Sequence, residues 1–293
     1  MAATASEDRH PSTVAMTSCP GCRTVPTGNA VEDARLTYAA GVHPIAREVE
    51  LRTLGSDFGA NGYATIAEVD QLVDLLALRP GRRLLDVGAG QGWPGLYLAG
   101  ATGCDVVLTD VPFEGPAAAA RRAAREGTSE RAWPLLALGQ ALPVRPASVD
   151  AVVHTDVLCC LAPKLAMLRA TRRALRPGGC TAFTVIHPTP GLSPAKARRA
   201  VAAGPPHCRV RTSYPSLLRS AGFVEIDEDD LTPAYLATAR TKLAVADELA
   251  DGMADMLGRQ EFDDMQAKRR LAVSAIADGL LRRSRFTARR PHR

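Results

Sequence analysis

Leu84-Leu-Asp-Val-Gly-Ala-Gly-Gln-Gly92 runs an apolar strand straight into three closely spaced glycines. At the carboxyl end of a strand, such a turn brings bare backbone against a ligand, because glycine alone combines the tight turn with the close approach. Asp110 closes the next strand, 24 residues after Asp86. A carboxylate there can accept both hydroxyls of a ribose. Gly90-Gln-Gly92-Trp-Pro-Gly95 also matches the dinucleotide pattern GxGxxG, with Asp110 equally placed for NAD. In that frame the first glycine comes two residues late. Counted from Gly88 the pattern is GxGxG, and Trp93 stands where the third dinucleotide glycine belongs.

On both sides of this turn, strand and helix signals alternate. Val69, Leu72, Val73, Leu75 and Leu76 give Ala67–Leu78 a helical period, stopped by Arg79-Pro80-Gly81. Strands are predicted at Cys104–Thr109, Pro134–Leu138, Val149–His154 and Cys180–Ile186, with helices at Pro116–Glu126 and Lys164–Leu175. This alternation builds a parallel sheet with helices on both faces. Tyr214–Ala221 reads as a short helix and Gly222-Phe-Val-Glu-Ile as a strand. Residues 233–281 read as helices, and Arg285-Phe-Thr-Ala-Arg289 as an edge strand. The expected division is a flexible leader at 1–30 and an α/β core with N-terminal lid helices at 31–232. A helical cap follows at 233–281, then a last edge strand and basic tail at 282–293.

Composition excludes several classes. With 293 residues, 46% of them hydrophobic, the chain can bury a core without disulfide staples. Its net charge of +5 is local: Arg282, Arg283, Arg285, Arg289, Arg290 and Arg293 crowd the last twelve positions, which hold no acid. The near-neutral remainder speaks against a nucleic-acid or membrane-surface partner, and arginines on an edge strand discourage edge-to-edge pairing. Seven scattered cysteines suit free thiols in a reducing compartment, so a cytoplasmic protein is expected. No apolar run is long enough to span a bilayer, and Glu7, Asp8 and Arg9 fall where a signal peptide needs apolar residues. Cys19-Pro-Gly-Cys22 has the spacing of half a zinc site, but no second pair follows, so no metal is expected.

Together with its surroundings the glycine turn resembles the class I S-adenosylmethionine-dependent methyltransferases of small molecules, of the type 11 kind. The match rests on Leu84 to Gly92, Leu108-Thr-Asp110, Gln140-Ala-Leu-Pro143, Ser148-Val-Asp-Ala-Val-Val153 and Leu175-Arg-Pro-Gly-Gly179. Phe58-Gly-Ala-Asn-Gly-Tyr63 falls where such enzymes carry a lid segment. The resemblance covers residues 55 to 290 and implies a Rossmann-like fold, a doubly wound, mostly parallel, seven-stranded sheet with the helical cap inserted before the last strand. It implies S-adenosylmethionine as cofactor, with Gly88, Ala89, Gly90 and Gly92 along its methionyl part and Asp86 organising the loop. It further implies Asp110 and Val111 at the ribose, Gly139, Gln140 and Ala141 along the adenine, and His154 at the cofactor-facing end of its strand. The family's adenine-binding Asp is Leu138 here, which leaves backbone groups of 139–141 to read the base.

Methyl transfer from a sulfonium is an in-line displacement, so alignment of the reactants supplies much of the rate, on the order of 7 to 11 kcal/mol. A base is needed only for an acceptor that must lose a proton. The candidates follow the fourth and fifth strands, in His154-Thr-Asp156 and His187-Pro-Thr-Pro-Gly191. His187 is the preferred base or acceptor ligand and Asp156 the second; either can equally be a loop hydrogen-bonding group. Asp156 holds the place of an acceptor-side Asp in phosphoethanolamine-type enzymes, whose histidine four residues on is Cys160 here. Tyr63 either closes over the acceptor or packs as a surface aromatic. No Asn/Asp-Pro-Pro-aromatic run and no Pro-Cys nucleophile occurs after the fourth strand, which favours a small-molecule acceptor over a nucleic acid. Two other readings stay open, a protein that binds the cofactor without methylating and an NAD(P)-dependent oxidoreductase; a homodimer is also left open.

Overall fold

The structure is a computed structural model that describes Tyr38, Ala40, Gly41 and residues 43–292. The expected leader, with Cys19 and Cys22, lies outside the described residues. The first strand, β1 (Arg83–Val87), lies inside the sheet, and its Leu84, Leu85 and Asp86 have no exposed surface. It pairs in parallel with β2 (Asp105–Asp110) on one side and β4 (Val149–Thr155) on the other. β3 (Ala132–Leu136) extends the sheet beyond β2, and β5 (Leu175–Pro188) beyond β4. β7 (Leu281–Arg289) runs antiparallel to β5, and β6 (Val224–Asp230) lies outside it, giving the order β3-β2-β1-β4-β5-β7-β6. This seven-stranded, mostly parallel, doubly wound arrangement is the expected one.

Strand alternation separates two cores. Leu84, Val106, Leu108, Ala151 and Val153 belong to one cluster; Leu85, Val87, Val152, Phe183 and Phe286 belong to the other. The first is covered by α2 (Ile66–Leu75), α3 (Gly95–Thr102) and α4 (Glu114–Arg125) through Val69 and Leu72, Leu96 and Leu98, and Ala119 and Ala123. The second is covered by α5 (Lys164–Ala174) and α7 (Tyr214–Ala221), with α6 (Pro194–Ala203) beside them. Burial on both faces is what a parallel sheet requires.

Three helices separate β6 from β7: α8 (Thr232–Glu248), α9 (Ala250–Leu257) and α10 (Arg259–Ala277). They share a third core with the N-terminal helix α1 (Pro44–Leu54), built from Val49, Val245, Met253 and Phe262. Helix α1 and the insert are therefore packed into one layer.

One topological expectation is corrected. The arginine-bearing last strand is interior, and the edge is β6, Val-Glu-Ile-Asp-Glu-Asp-Asp. The basic strand lies against this acidic run, with Arg282 paired to Asp230, Arg285 to Asp229 and Arg289 to Glu225. Negative charge on β6, rather than arginine on β7, guards this side of the sheet. β5 also starts at Leu175 instead of Cys180, because Gly178 N donates to Arg290 O (2.9 Å) and draws Arg-Pro-Gly-Gly into the ladder.

Candidate active site

β1 ends at Val87, and the chain turns through Gly88 (φ +78°) and Gly90 (φ +52°). The turn is fastened to the end of β2, where Thr109 O accepts from Gly88 N (2.7 Å) and Ala89 N (3.1 Å). A Cβ on Gly88 would come 2.5 Å from Val157 Cγ2, so both the left-handed backbone and the space demand glycine. Asp86 lies beneath the turn and accepts from Gly95 N (2.8 Å), supplying the cap that Pro94 cannot give α3. Its Oδ1 is buried without a partner among the described residues, and burial pushes the carboxyl well above its usual range.

Asp110 closes β2 facing the turn. Its Oδ2 accepts from Gly90 N (2.5 Å) and from the Tyr38 phenol (2.9 Å), and Oδ1 accepts from Val111 N (2.6 Å). Burial raises this carboxyl to about 6, against the lowering by these bonds. The Tyr38 ring lies where a Cβ on Gly90 would point, 3.2 Å from it. The turn Leu138–Ala141, closed by Ala141 N to Leu138 O (2.9 Å), reaches the same region. There Gly139 packs close to Met167 and Val87, and a Cβ would lie 3.1 Å from Met167 Sδ. Backbone amides, a carboxylate and a glycine-lined floor thus meet at the carboxyl edge of β1 and β2. The donor set fits a nucleoside with a charged amino-acid tail, provided the Tyr38 phenol yields its place on Asp110.

Trp93 rules out a dinucleotide fingerprint counted from Gly88. Its indole packs on Phe58 (5.3 Å between centroids) and Tyr97 (5.4 Å), and its Nε1 donates to Ala64 O (3.1 Å). A buried indole therefore fills the position where a dinucleotide site needs a glycine for close helix packing.

Beyond β4, Asp156 adopts a left-handed backbone (φ +57°) and acts as a hub. Its Oδ1 accepts from Thr184 Oγ1 (2.9 Å) and Arg283 Nε (2.9 Å), and its Oδ2 from Tyr63 N (3.1 Å). Arg283, with no exposed surface, also binds Glu68 (2.7 Å). A capping box would turn Glu68 back to Thr65; here Thr65 caps α2 and Glu68 reaches the arginine instead. Glu50 gathers the neighbouring loop, accepting from Ser56 Oγ (2.8 Å), Phe58 N (2.9 Å) and Gly59 N (2.6 Å).

Tyr63, half-buried and edge-on to Tyr235 (4.7 Å), lines a cavity of about 320 Å³ with Ile186, Met265 and Arg269. Burial raises its phenol above the usual range. Val157 against Gly88, and Asp156 next to it holding Tyr63, connect the glycine turn to this cavity.

Two expected residues sit elsewhere. His187 Nδ1 donates to Pro188 O (3.0 Å), and its Nε2 meets Ser284 Oγ (3.0 Å). The ring lies 5.8 Å from Tyr214, and His187 is not among the residues lining the cavity. His154 is fully buried, stacked on Phe183 (4.5 Å), and neither ring nitrogen has a partner among the described residues. Burial lowers it to about 3, so it is neutral. Glu68, Glu50 and Tyr38 were not singled out in the sequence, and Arg283 was read only as part of the basic tail. The spacing of Thr65 and Glu68 is that of a capping box and carries no sign of the arginine.

A family model described as a methyltransferase domain matches residues 85–183. The chain is 31% identical over 187 residues to 27-O-demethylrifamycin SV methyltransferase of Amycolatopsis mediterranei, spanning 62% of this chain and 68% of that protein. It is 24% identical over 223 residues to phosphoethanolamine N-methyltransferase of Triticum aestivum, spanning 73% of this chain but only 42% of that protein. The chain thus matches less than half the length of that relative. A cyclopropane synthase from Mycobacterium tuberculosis shares the fold, with a TM-score of 0.72 and 17% identity over 89% of this chain and 98% of the other. The sheet order and the glycine turn define a Rossmann-like nucleotide-binding protein. Within that class, the chain belongs to the S-adenosylmethionine-dependent methyltransferases. Among the described residues, no helix is long and apolar enough to cross a membrane.

Proposed function

We propose that this protein transfers the methyl group of S-adenosylmethionine to a small-molecule acceptor held in the cavity beside Tyr63. The observation that carries the reading is the continuous contact from the Gly88 turn through Val157 and Asp156 to Tyr63. Bound S-adenosylmethionine supplies an electrophilic methyl on a sulfonium. The backbone of Gly88, Ala89, Gly90 and Gly92 borders its methionyl part, with Asp86 holding the loop. Asp110, with Val111 beside it, takes the ribose hydroxyls, and the backbone of Gly139, Gln140 and Ala141 lies along the adenine. Tyr63 covers the acceptor and excludes water, while Asp156 is a positioning residue that fixes the Tyr63 backbone. His187 could act as a base only by giving up its bonds to Pro188 and Ser284, so alignment rather than proton removal is assigned the main effect. His154 supports the end of β4 from within the core.

The reading extends to a cytoplasmic enzyme without a nucleic-acid partner. Free thiols at Cys104, Cys159, Cys160, Cys180 and Cys208 fit a reducing compartment, and Arg282, Arg283, Arg285 and Arg289 are committed to carboxylates of the same chain. Calorimetry is expected to show S-adenosylmethionine and S-adenosylhomocysteine binding at micromolar affinity, at least tenfold weaker in Asp110→Ala. Saturable binding of NAD alone rejects the assignment. Turnover of labelled S-adenosylmethionine with a small-molecule extract tests the transfer itself.

A further inference from the structure

The helical insert adds positive charge to the wall of the acceptor cavity. Arg269 on α10 lines it, and its Nη1 donates to the neutral Gln266 Oε1 (3.0 Å). Lys242 on α8 lies close by; its Nζ donates to Gly62 O (3.2 Å) and stands 5.3 Å from the centroid of the Tyr63 ring. Among the described residues neither cation forms an ion pair. Two nearby carboxylates are already committed. Asp247 binds Arg270 (3.0 Å) and Gln266 Nε2 (2.8 Å), and Glu50 holds Ser56, Phe58 and Gly59. Burial, and then the charge of Arg269, hold the Lys242 ammonium down to about 8. Two cations kept near each other in a poorly hydrated wall are stabilised by an oxyanion that neither has from the protein. The rest of the wall is mixed: Ile186, Pro205, Met265 and Ala272 are apolar, while Glu261 and Lys268 of α10 add one charge of each sign.

We propose that Arg269 and Lys242 form an oxyanion subsite, and that the methyl acceptor is an apolar molecule carrying a carboxylate or phosphate group. This rests on the cavity being the acceptor site. Arg269 supplies the planar donor fork that such a group favours, and Lys242 the point charge next to Tyr63. A cationic acceptor is disfavoured, because Lys242 already occupies the face of the Tyr63 ring.

The test uses 2-naphthoate and 2-naphthyl phosphate against uncharged 2-naphthylmethanol, titrated into the full chain with and without S-adenosylhomocysteine. At least one anion is expected to bind tenfold or more tightly than the alcohol, the tighter one identifying carboxylate or phosphate. Arg269→Gln is expected to remove most of this preference and Arg269→Lys to keep part of it, with S-adenosylhomocysteine affinity unchanged within twofold in both. Equal affinity for the alcohol and both anions overturns the proposal, as does a preference that survives Arg269→Gln with Lys242→Gln. Anion preference in a wild-type protein that fails to bind S-adenosylhomocysteine overturns the methyltransferase reading and leaves the subsite standing.

Discussion

Asp110 accepts three hydrogen bonds from its own chain, one of them from the Tyr38 phenol. On the proposed placement of the ribose at Asp110, the diol needs that oxygen, so the phenol competes with the cofactor. Tyr38→Phe is expected to bind S-adenosylmethionine several-fold more tightly, and equal or weaker binding in calorimetry refutes the competition. Because burial raises Asp110 to about 6, its charge is lost as pH falls through that value. Cofactor affinity should be flat above about pH 6, decline below it, and lose this step in Asp110→Asn. His154 behaves oppositely with respect to folding. Its folded pKa of about 3 lies below the unfolded value of 6.5, so between these the unfolded chain binds a proton that the native chain does not. The loss of stability therefore begins near pH 6.5 and grows by up to roughly 1.4 kcal/mol per pH unit on acidification. Urea unfolding of His154→Phe should show a gain over wild type that rises as pH falls, and parallel profiles contradict it. The glycines and Asp110 were legible because their spacing encodes a backbone path; the partners of His154 and His187 were not, since strand position does not specify what lies across the sheet.

At the scale of elements, the informative pair is β6 against β7. The sequence shows an acidic run and, some fifty residues later, a run rich in arginine, and only the register joins Asp230 to Arg282 and Asp229 to Arg285. Arg283 points inward instead, to Glu68 of α2 and Asp156 after β4. It thereby fastens the last interior strand to α2 and, through Asp156, to the segment that carries Tyr63. Removing one member of a buried ionic cluster leaves uncompensated charge, so Arg283→Met is expected to cost about 3 to 5 kcal/mol in urea unfolding. Adding Glu68→Gln and Asp156→Asn should restore part of this loss, since a neutral cluster has no stranded charge. A triple variant no more stable than the single one argues against an electrostatic cause.

Across the whole molecule, the sheet carries the glycine turn and Asp110 at its carboxyl ends, while α1 and the insert α8 to α10 pack as one layer, from which α8 and α10 line the cavity beside Tyr63. The sequence by itself determined the doubly wound core, the glycine turn, its carboxylate and the helical insert before the last strand. Those features are local, because periodicity, turn chemistry and residue type act within one element and the next. Tertiary structure alone decided that the arginine strand is interior, that Asp156 is occupied by Arg283 and Tyr63 N, and that Lys242 comes beside the Tyr63 ring near Arg269. These depend on contacts between residues far apart in the chain, up to 215 positions for Glu68 and Arg283. Charge pairing and burial over such separations are fixed by packing, and a linear pattern carries no record of which side chains that packing brings together.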